Sequence, residues 1–221
     1  FKELIKIEPA IIDISLDSSL PEINDNIRGL KGAFDKTVAN IQNLVKEMEE
    51  SGSKTDIVIS TVLNKDNINT LDHLLNYCYN LGISRIILCP VHNFDRKRPE
   101  STLERIECNY NISEFLLNHK LRYIIDNSDY YLSHLGSVID GQLPPTGCPS
   151  GYTTIFFDWE YNVYPCKAYL EMGWAMCNLR KSKKSLKELW YSSVYNKFRT
   201  EAKNCQKCFL TVNREFDSLF R

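Results

Sequence analysis

The chain has 221 residues, with 27 basic and 28 acidic side chains and a hydrophobic content of 43%. This length is enough to bury one large core or two modest ones. The balanced charge gives no global signal for binding nucleic acid or a membrane surface. No apolar run approaches the roughly 20 residues that span a bilayer. We therefore expect neither nucleic acid nor a membrane as a partner.

The first residues and the cysteine content bear on the cellular compartment of the protein. The chain begins Phe1-Lys-Glu-Leu-Ile-Lys, with neither an initiating Met nor the apolar core of a signal peptide. We expect that Phe1 is not the natural start. Eight cysteines in a chain of this length are too sparse for a small disulfide scaffold. These features predict reduced thiols and a cytoplasmic location.

Strand and helix patterns alternate over the first 91 residues. Apolar, β-branched runs predict strands at 11–18, 56–63 and 85–91, and apolar residues at spacings of three and four predict helices at 33–50 and 68–81. This alternation indicates a parallel sheet with right-handed crossovers. In such sheets the ligand site lies beyond the C-terminal ends of the strands.

The regular alternation of strand and helix patterns ends in the middle of the chain. Residues 21–29 read as a turn-rich connection, and the basic run 96–98 reads as a solvated loop because it lacks interleaved aromatic residues. Residues 101–104 have the pattern of a helix capping box, and residues 121–125 of one more short strand. Residues 185–188 have a second capping-box pattern, which predicts a helix that continues through Phe198. The Pro- and Gly-containing stretch 141–147 predicts a linker.

The last third carries the main chemical feature. Cys148 and Cys166 frame a predicted hairpin with its turn at Tyr161–Asn162, and Cys205 and Cys208 form a Cys-x-x-Cys pair. The pair can place two thiolates on one metal, and the distant pair can complete a four-thiolate site. Four soft sulfurs suit an iron–sulfur cluster or zinc. Unliganded thiols or disulfides remain the alternative.

Several short motifs, taken together in order, resemble those of a radical S-adenosylmethionine enzyme with a C-terminal auxiliary-cluster domain of the SPASM/twitch kind. They include Ser15-Leu-Asp17-Ser, Ile27-Arg28-Gly29, Thr61-Val-Leu-Asn64, Val163-Tyr-Pro165-Cys166, Ser185-Leu-Lys-Glu-Leu-Trp190 and the final Cys-x-x-Cys. The resemblance covers most of the chain. Each motif is weak alone.

The resemblance implies an α/β fold in two parts. Residues 1–140 are expected to be the C-terminal half of a partial (β/α)6 barrel, and residues 141–221 a small α+β twitch/SPASM-like domain. The ligands of one auxiliary [4Fe–4S] cluster are then Cys148, Cys166, Cys205 and Cys208. Four cysteines rather than seven favour the twitch type, which holds one extra cluster.

The resemblance also implies an activity. Enzymes of this family cleave S-adenosylmethionine reductively to a 5′-deoxyadenosyl radical, which abstracts hydrogen from a substrate. The partners expected are a reducing electron donor and a small-molecule or peptide substrate. The Cys-x-x-x-Cys-x-x-Cys motif that binds the radical-generating cluster is absent from these 221 residues. We expect this portion alone to be inactive. The alternative is a non-catalytic binding module that carries zinc or a cluster.

Four residues near the predicted strand ends are implied to bind S-adenosylmethionine. Ser15 and Asp17 would bind the ribose, Arg28 would orient the carboxylate, and Asn64 follows the second strand. Local alternatives stand beside these roles: an Asx-type turn at Ser15 and Asp17, pairing of Arg28 with Asp25 or Glu22, and capping by Asn64.

Other polar candidates carry weaker signals. His92 follows a strand end, where a lone histidine has little specificity. The remaining cysteines have the burial habits of free thiols, and we expect them to be bystanders. They are Cys78, Cys89, Cys108 and Cys177.

Overall fold

A computed structural model describes residues 1–94, 101–103, 105–143 and 147–215. The chain forms two compact units. The first comprises Phe1–Cys89 with Ile106–Asn127, and the second Pro90–Arg105 with Ser128–Arg221. The predicted basic loop at 96–98 and the prolines of the predicted linker lie outside the described residues. The domain boundary expected at residue 140 stays a prediction.

The first unit alternates helices with a three-stranded sheet. Its helices are α1 (Lys2–Lys6), α2 (Pro21–Arg28), α3 (Ala33–Ser51), α4 (Leu71–Asn80) and α5 (Ile112–Leu117), and its strands are β1 (Ile11–Ser15), β2 (Asp56–Leu63) and β3 (Arg85–Pro90). The sheet order is β1-β2-β3. Strands β1 and β2 are parallel, with Ile11 opposite Asp56 and Ser15 opposite Ser60. The polar ends of both strands therefore lie at one edge of the sheet.

Helix α3 forms because its apolar residues repeat at helical spacing. It buries Phe34, Val38, Ile41 and Leu44 and ends at Gly52, whose φ of 65° needs glycine. The sequence predicted this helix within one residue at its C-terminal end. Leu44 completes the buried face, and Val45 beside it is half-buried.

Three sequence predictions in the connecting segments are wrong. Residues 21–29, expected as a turn-rich connection, contain helix α2, because Pro21 suits the first helical turn and Gly29 ends the helix with φ 63°. Residues 122–124 form a 3-10 turn instead of a strand, and only Ile125 bridges to Ile86. Residues 101–103 form strand β5 where a helix cap was expected.

The second unit begins with a small hairpin and a helix. Strand β4 (His92–Phe94) pairs antiparallel with β5 (Ser101–Leu103), and helix α6 covers Asp129–Ile139. A three-stranded antiparallel sheet follows, in the order β6 (Phe156–Phe157), β7 (Asn162–Tyr164) and β8 (Cys177–Asn178). Its remaining helices are α7 (Lys167–Met172), α8 (Leu179–Ser182), α9 (Leu186–Trp190), α10 (Ser193–Ala202) and α11 (Thr211–Arg214).

The expected hairpin and capping box occur in the second unit. Tyr161 lies in the turn between β6 and β7 with φ 68°, an uncommon conformation for a residue with a side chain. Ser185 and Glu188 form the predicted capping box at the start of α9. The helix expected to run on to Phe198 is instead two helices, because Ser192 caps a new start. In the described part of the chain, no helix has the length and apolarity needed to cross a bilayer.

Candidate metal centre

The backbone just before Cys148 passes close to the backbone at the C-terminal end of α10. A Cβ on Gly147 would lie 1.9 Å from the carbonyl oxygen of Lys203, so only glycine allows the chain to pass the end of α10 there. The amide of Cys148 donates to the carbonyl of Ala202 at 2.9 Å. The thiol of Cys148 is buried and bonds to Ser150 at 3.2 Å.

Cys205 reaches the same point from the other side. Its amide donates to the same Ala202 carbonyl, at 3.0 Å. One oxygen atom at the end of α10 therefore joins the backbone of the first and third cysteines of the predicted quartet. This shared acceptor brings together Cys148 and Cys205, which are 57 residues apart in sequence.

Cys166 and Cys208 meet in one apolar cluster. Cys166 precedes the first turn of α7, and Cys208 follows α10. Both are buried, at 7% and 4% exposure. They pack with Ala168, Met172, Phe198 and Ala202. Burial among these side chains excludes water from two of the four thiols.

The thiols also influence each other's protonation. Burial raises the pKa of Cys166, and the neighbouring thiols of Cys208, Cys148 and Cys205 raise it further. Burial raises the pKa of Cys208 to about 11. Burial likewise raises the pKa of Cys148, against a lowering by Arg214. In the absence of a metal these buried thiols hold their protons at neutral pH, and a metal would have to replace those protons.

The donor set suits a soft metal centre. Four cysteine sulfurs are the ligands of both iron–sulfur clusters and structural zinc. Ala202 is common to both halves of the quartet, because its carbonyl accepts from the amides of Cys148 and Cys205 and the residue packs in the cluster of Cys166 and Cys208. Among the described residues, no three His, Cys, Asp or Glu side chains have an arrangement that would hold one metal ion.

Arg214 is a buried cation beside the quartet that sequence reasoning missed. It is 0% exposed. Its Nε donates to the carbonyl of Cys208, one Nη to that of Cys205 and the other to that of Gly147, each at 3.1 Å. The guanidinium thus binds three backbone segments that carry predicted ligands. No sequence motif assigns a role to an arginine six residues after a Cys-x-x-Cys pair, so local patterns did not indicate these hydrogen bonds.

Phe209, next to Cys208, is held on both sides of its backbone. Its amide donates to Nε2 of His92 at 2.9 Å, and its carbonyl accepts from the hydroxyl of Tyr131 at 2.8 Å. Nδ1 of His92 lies 2.6 Å from the carbonyl of Pro90, so this nitrogen carries the proton. Burial lowers the pKa of His92 to about 4. His92 is therefore a neutral tether of the Cys-x-x-Cys segment.

The polar residues at the end of the parallel sheet form a separate network in the first unit. Asp17 is 1% exposed. One of its carboxylate oxygens accepts from the amide of Val62 at 2.9 Å, and the other pairs with Arg28 at 2.7 Å. Burial raises the pKa of Asp17, while the Val62 amide and Arg28 lower it. The expected alternatives for Arg28, a pair with Asp25 or Glu22, are wrong.

Asn67 ties this network to the second strand. Its side-chain amide donates to the carbonyls of Asp17 and Val62, each at 2.9 Å, and its oxygen accepts from the amide of Asn64. Asn64 in turn accepts from the amide of Asp66, which closes an Asx turn and is not the helix cap considered for it. Ser15 is exposed on β1. Of the four residues implied to bind the cofactor, Asp17 has both carboxylate oxygens engaged by protein.

The other cysteines lie in ordinary structural positions. None of the eight cysteines is in a disulfide. Cys78 is buried on α4, and burial raises its pKa to about 12. Cys177 pairs with Val163 in the sheet of the second unit. Neither contributes to the pKa shifts of Cys148, Cys166 and Cys208.

Residues 148–209 match the family model of the SPASM domain, an iron–sulfur cluster-binding domain. This stretch is a SPASM domain. The match includes all four predicted ligands. The smaller twitch type, which the count of four cysteines favours, stays a prediction.

The chain is similar to one characterised maturase and to several solved structures. It is 29% identical over 164 residues to the mycofactocin maturase MftC of Mycolicibacterium smegmatis, covering 70% of this chain and 38% of the relative. Its fold is similar to that of Streptococcus suis SuiB bound to the precursor peptide SuiA, with a TM-score of 0.60, 16% identity and coverage of 100% of this chain and 53% of that one.

A second solved structure, anSMEcpe with bound AdoMet, gives a TM-score of 0.54 at 15% identity, covering 96% of this chain and 57% of that one. The chain thus spans less than two thirds of the length of each of these relatives. The mixed α/β fold resembles those of these two solved structures, and its last third contains the stretch that matches the SPASM domain.

Proposed function

We propose that this chain is the C-terminal part of a radical S-adenosylmethionine maturase that modifies a peptide. In this proposal Cys148, Cys166, Cys205 and Cys208 hold one auxiliary [4Fe–4S] cluster. The observation that supports it is that both halves of the quartet meet at Ala202, which accepts from the amides of Cys148 and Cys205 and packs with Cys166 and Cys208, within the stretch that matches the SPASM domain.

Four protein ligands leave no open iron position for a substrate. The cluster would therefore supply electron transfer or fix the position of the substrate, and it would not bind substrate directly. Its electrons require a reducing donor, and thiolate ligation suits the reducing cytoplasm. Peptide is the proposed substrate class because the relatives include a maturase and a structure that contains a precursor peptide.

The first unit would be the C-terminal half of the partial (β/α)6 barrel. At the polar edge of its sheet, Ser15 and Asn64 would contact S-adenosylmethionine, and Arg28 would bind the carboxylate of the methionine portion. Asp17 would act by positioning Arg28, because its own oxygens are already bonded within the unit. The intact protein would use S-adenosylmethionine for hydrogen abstraction from the peptide.

Anaerobic reconstitution with iron and sulfide tests the cluster assignment. We expect about four iron atoms per chain and broad visible absorbance. Cys166→Ser should lose most of the iron, whereas Cys177→Ser, in the same domain, should retain it. One equivalent of zinc in place of iron, or equal iron in the two variants, would contradict the assignment and favour a zinc-bearing binding module.

The reading frame before the codon for Phe1 provides an independent test of the enzyme class. An in-frame Cys-x-x-x-Cys-x-x-Cys is expected there, since that motif holds the cluster that acts on S-adenosylmethionine. A complete reading frame without it would rule out the radical mechanism, although the cluster in the SPASM domain would stand.

A further inference from the structure

Helix α11, Thr211–Arg214, follows the Cys-x-x-Cys pair and lies beyond the residues that match the SPASM model. It is only one turn long. Two of its side chains, Asn213 and Arg214, are nevertheless polar and 0% exposed. Burying an amide and a guanidinium on such a short helix is costly unless each has a specific partner. Both side chains are directed to Cys208 and its neighbours.

Asn213 contacts a predicted metal ligand directly. Its side-chain amide donates to the sulfur of Cys208 at 3.7 Å. Its oxygen has no partner among the described residues. The nitrogen, rather than the oxygen, is the atom turned to the sulfur. An N–H that points at a cysteine sulfur stabilises negative charge on that sulfur, and such hydrogen bonds help to set the reduction potential of a cluster.

Arg214 contacts the backbone that carries the ligands. Three of its hydrogen bonds reach the carbonyls of Gly147, Cys205 and Cys208. The rigid fork of a guanidinium can hold three acceptors at fixed separations, which the single ammonium of a lysine cannot do. Its permanent positive charge also lowers the pKa of Cys148 and Cys208 against the larger effect of burial.

We propose that Asn213 and Arg214 on α11 are the positioning residues of the four-cysteine centre, with separate tasks. Arg214 fixes the backbone of Gly147, Cys205 and Cys208 so that the thiols meet around the cluster. Asn213 sets the reduction potential through its hydrogen bond to Cys208. This inference rests on the proposed cluster.

Asn213→Leu tests the second task because leucine has nearly the same shape and lacks the donor. After reconstitution we expect unchanged iron content and a reduction potential shifted to more negative values, since the reduced cluster loses a hydrogen bond. Asn204→Ala is the matched control, since Asn204 is exposed next to Cys205. A full complement of iron with the parent potential would overturn this task of Asn213.

A measurement on the unmutated chain tests the hydrogen bond of Asn213 even where the variant misfolds. With asparagine labelled by 15N, pulsed EPR of the reduced cluster should show a nitrogen hyperfine coupling from Asn213. The coupling should disappear in Asn213→Leu and persist in Asn204→Ala. A spectrum without any asparagine coupling would exclude the hydrogen bond to Cys208.

Arg214→Met and Arg214→Lys test the first task. Methionine removes charge and donors, and lysine keeps the charge without the three-pronged geometry. We expect both to lose most of the iron that the parent chain binds, while far-UV circular dichroism shows that helices are retained. Full iron in Arg214→Lys would show that charge alone suffices and would overturn the positioning role.

Different results would contradict the proposed function and the roles of α11. If the parent chain itself binds zinc or no metal after reconstitution, the proposed function is wrong and the roles of α11 go with it. If the parent binds about four iron atoms and the variants match it in iron and potential, only the inference about α11 is wrong.

Discussion

The two compact units contain buried polar groups of different kinds. In the first unit, the carboxylate of Asp17 has one oxygen bonded to Val62 and the other to Arg28. In the second unit, Cys166 and Cys208 lie among apolar side chains, and burial raises the pKa of both thiols. The first network is complete with protein atoms alone. The second becomes an ionised site only when a metal takes the place of the protons.

Asp17 in the first unit and His92 in the second should therefore respond oppositely to acid. The pKa of Asp17 is raised above 3.8, so its protonation favours the folded state at low pH and its ionisation opposes folding as the pH rises. The pKa of His92 is lowered from 6.5 to about 4, so the unfolded state takes up the proton first as the pH falls. Acid destabilises the second unit through His92.

The largest effect that would sharpen this contrast is that of metal removal. The amides of Cys148 and Cys205 share the Ala202 carbonyl, and the amide of Val62 bonds to Asp17. Removing a cluster that binds only the folded state should speed hydrogen exchange at the two cysteine amides by about a hundredfold or more. Exchange at Val62 should not change. Mass spectrometry before and after chelation measures both.

Two outcomes of that experiment would contradict the difference between the two units. Equal acceleration at Val62 and at the cysteine amides would mean that the metal supports the first network as well. No acceleration at Cys148 and Cys205 would mean that the quartet is stable without a metal, and the contrast between the two units would disappear.

The second effect is the acid response of His92. Between pH 6.5 and about 4, the metal-free chain should lose on the order of 3 kcal/mol of unfolding free energy, since one pKa unit corresponds to about 1.4 kcal/mol. The variant His92→Gln can still accept from Phe209 and donate to Pro90 but cannot titrate. Its urea unfolding should lack this slope. A slope unchanged by the substitution would assign the acid response to other groups.

A smaller effect is expected for the ion pair of the first unit. Arg28→Leu leaves the carboxylate of Asp17 buried beside one hydrogen bond and should cost about 1 kcal/mol at neutral pH, allowing for the solvent around Arg28. Because Arg28 lowers the pKa of Asp17, the loss should vanish once the pH falls below the folded pKa of that carboxyl. Chemical denaturation at several pH values measures it, with Arg28→Lys as the charge-retaining control. A loss that persists in acid would point to packing instead.

The smallest effect concerns the turn of the second unit. Tyr161 has φ 68°, and Arg180 lies 3.8 Å above its ring. Tyr161→Gly should raise the unfolding free energy by up to about 1 kcal/mol, because glycine adopts positive φ without strain. Tyr161→Ala keeps the strain and loses the ring, so it should destabilise. If both variants are less stable than the parent, the ring contact outweighs the strain.

Much of the fold followed from sequence patterns because those patterns report local physics. Apolar spacing located α3 and β2, and the Ser185–Glu188 box located the start of α9. Local patterns failed where a short segment could satisfy two geometries. Residues 101–103 form a strand only because β4 pairs with them, and residues 21–28 form a helix because Asp25 also binds the amides at the start of α3.

The sequence alone predicted the chemistry of the site. Four cysteines in the spacing of a SPASM domain predict soft-metal ligation from donor chemistry, wherever the chain takes them. Only the tertiary structure decided what surrounds those sulfurs. Ala202 joins Cys148 to Cys205, Arg214 binds three ligand-bearing segments, and His92 binds the residue after Cys208. These contacts link residues far apart in sequence and depend on burial and closure of the chain, which local patterns do not encode.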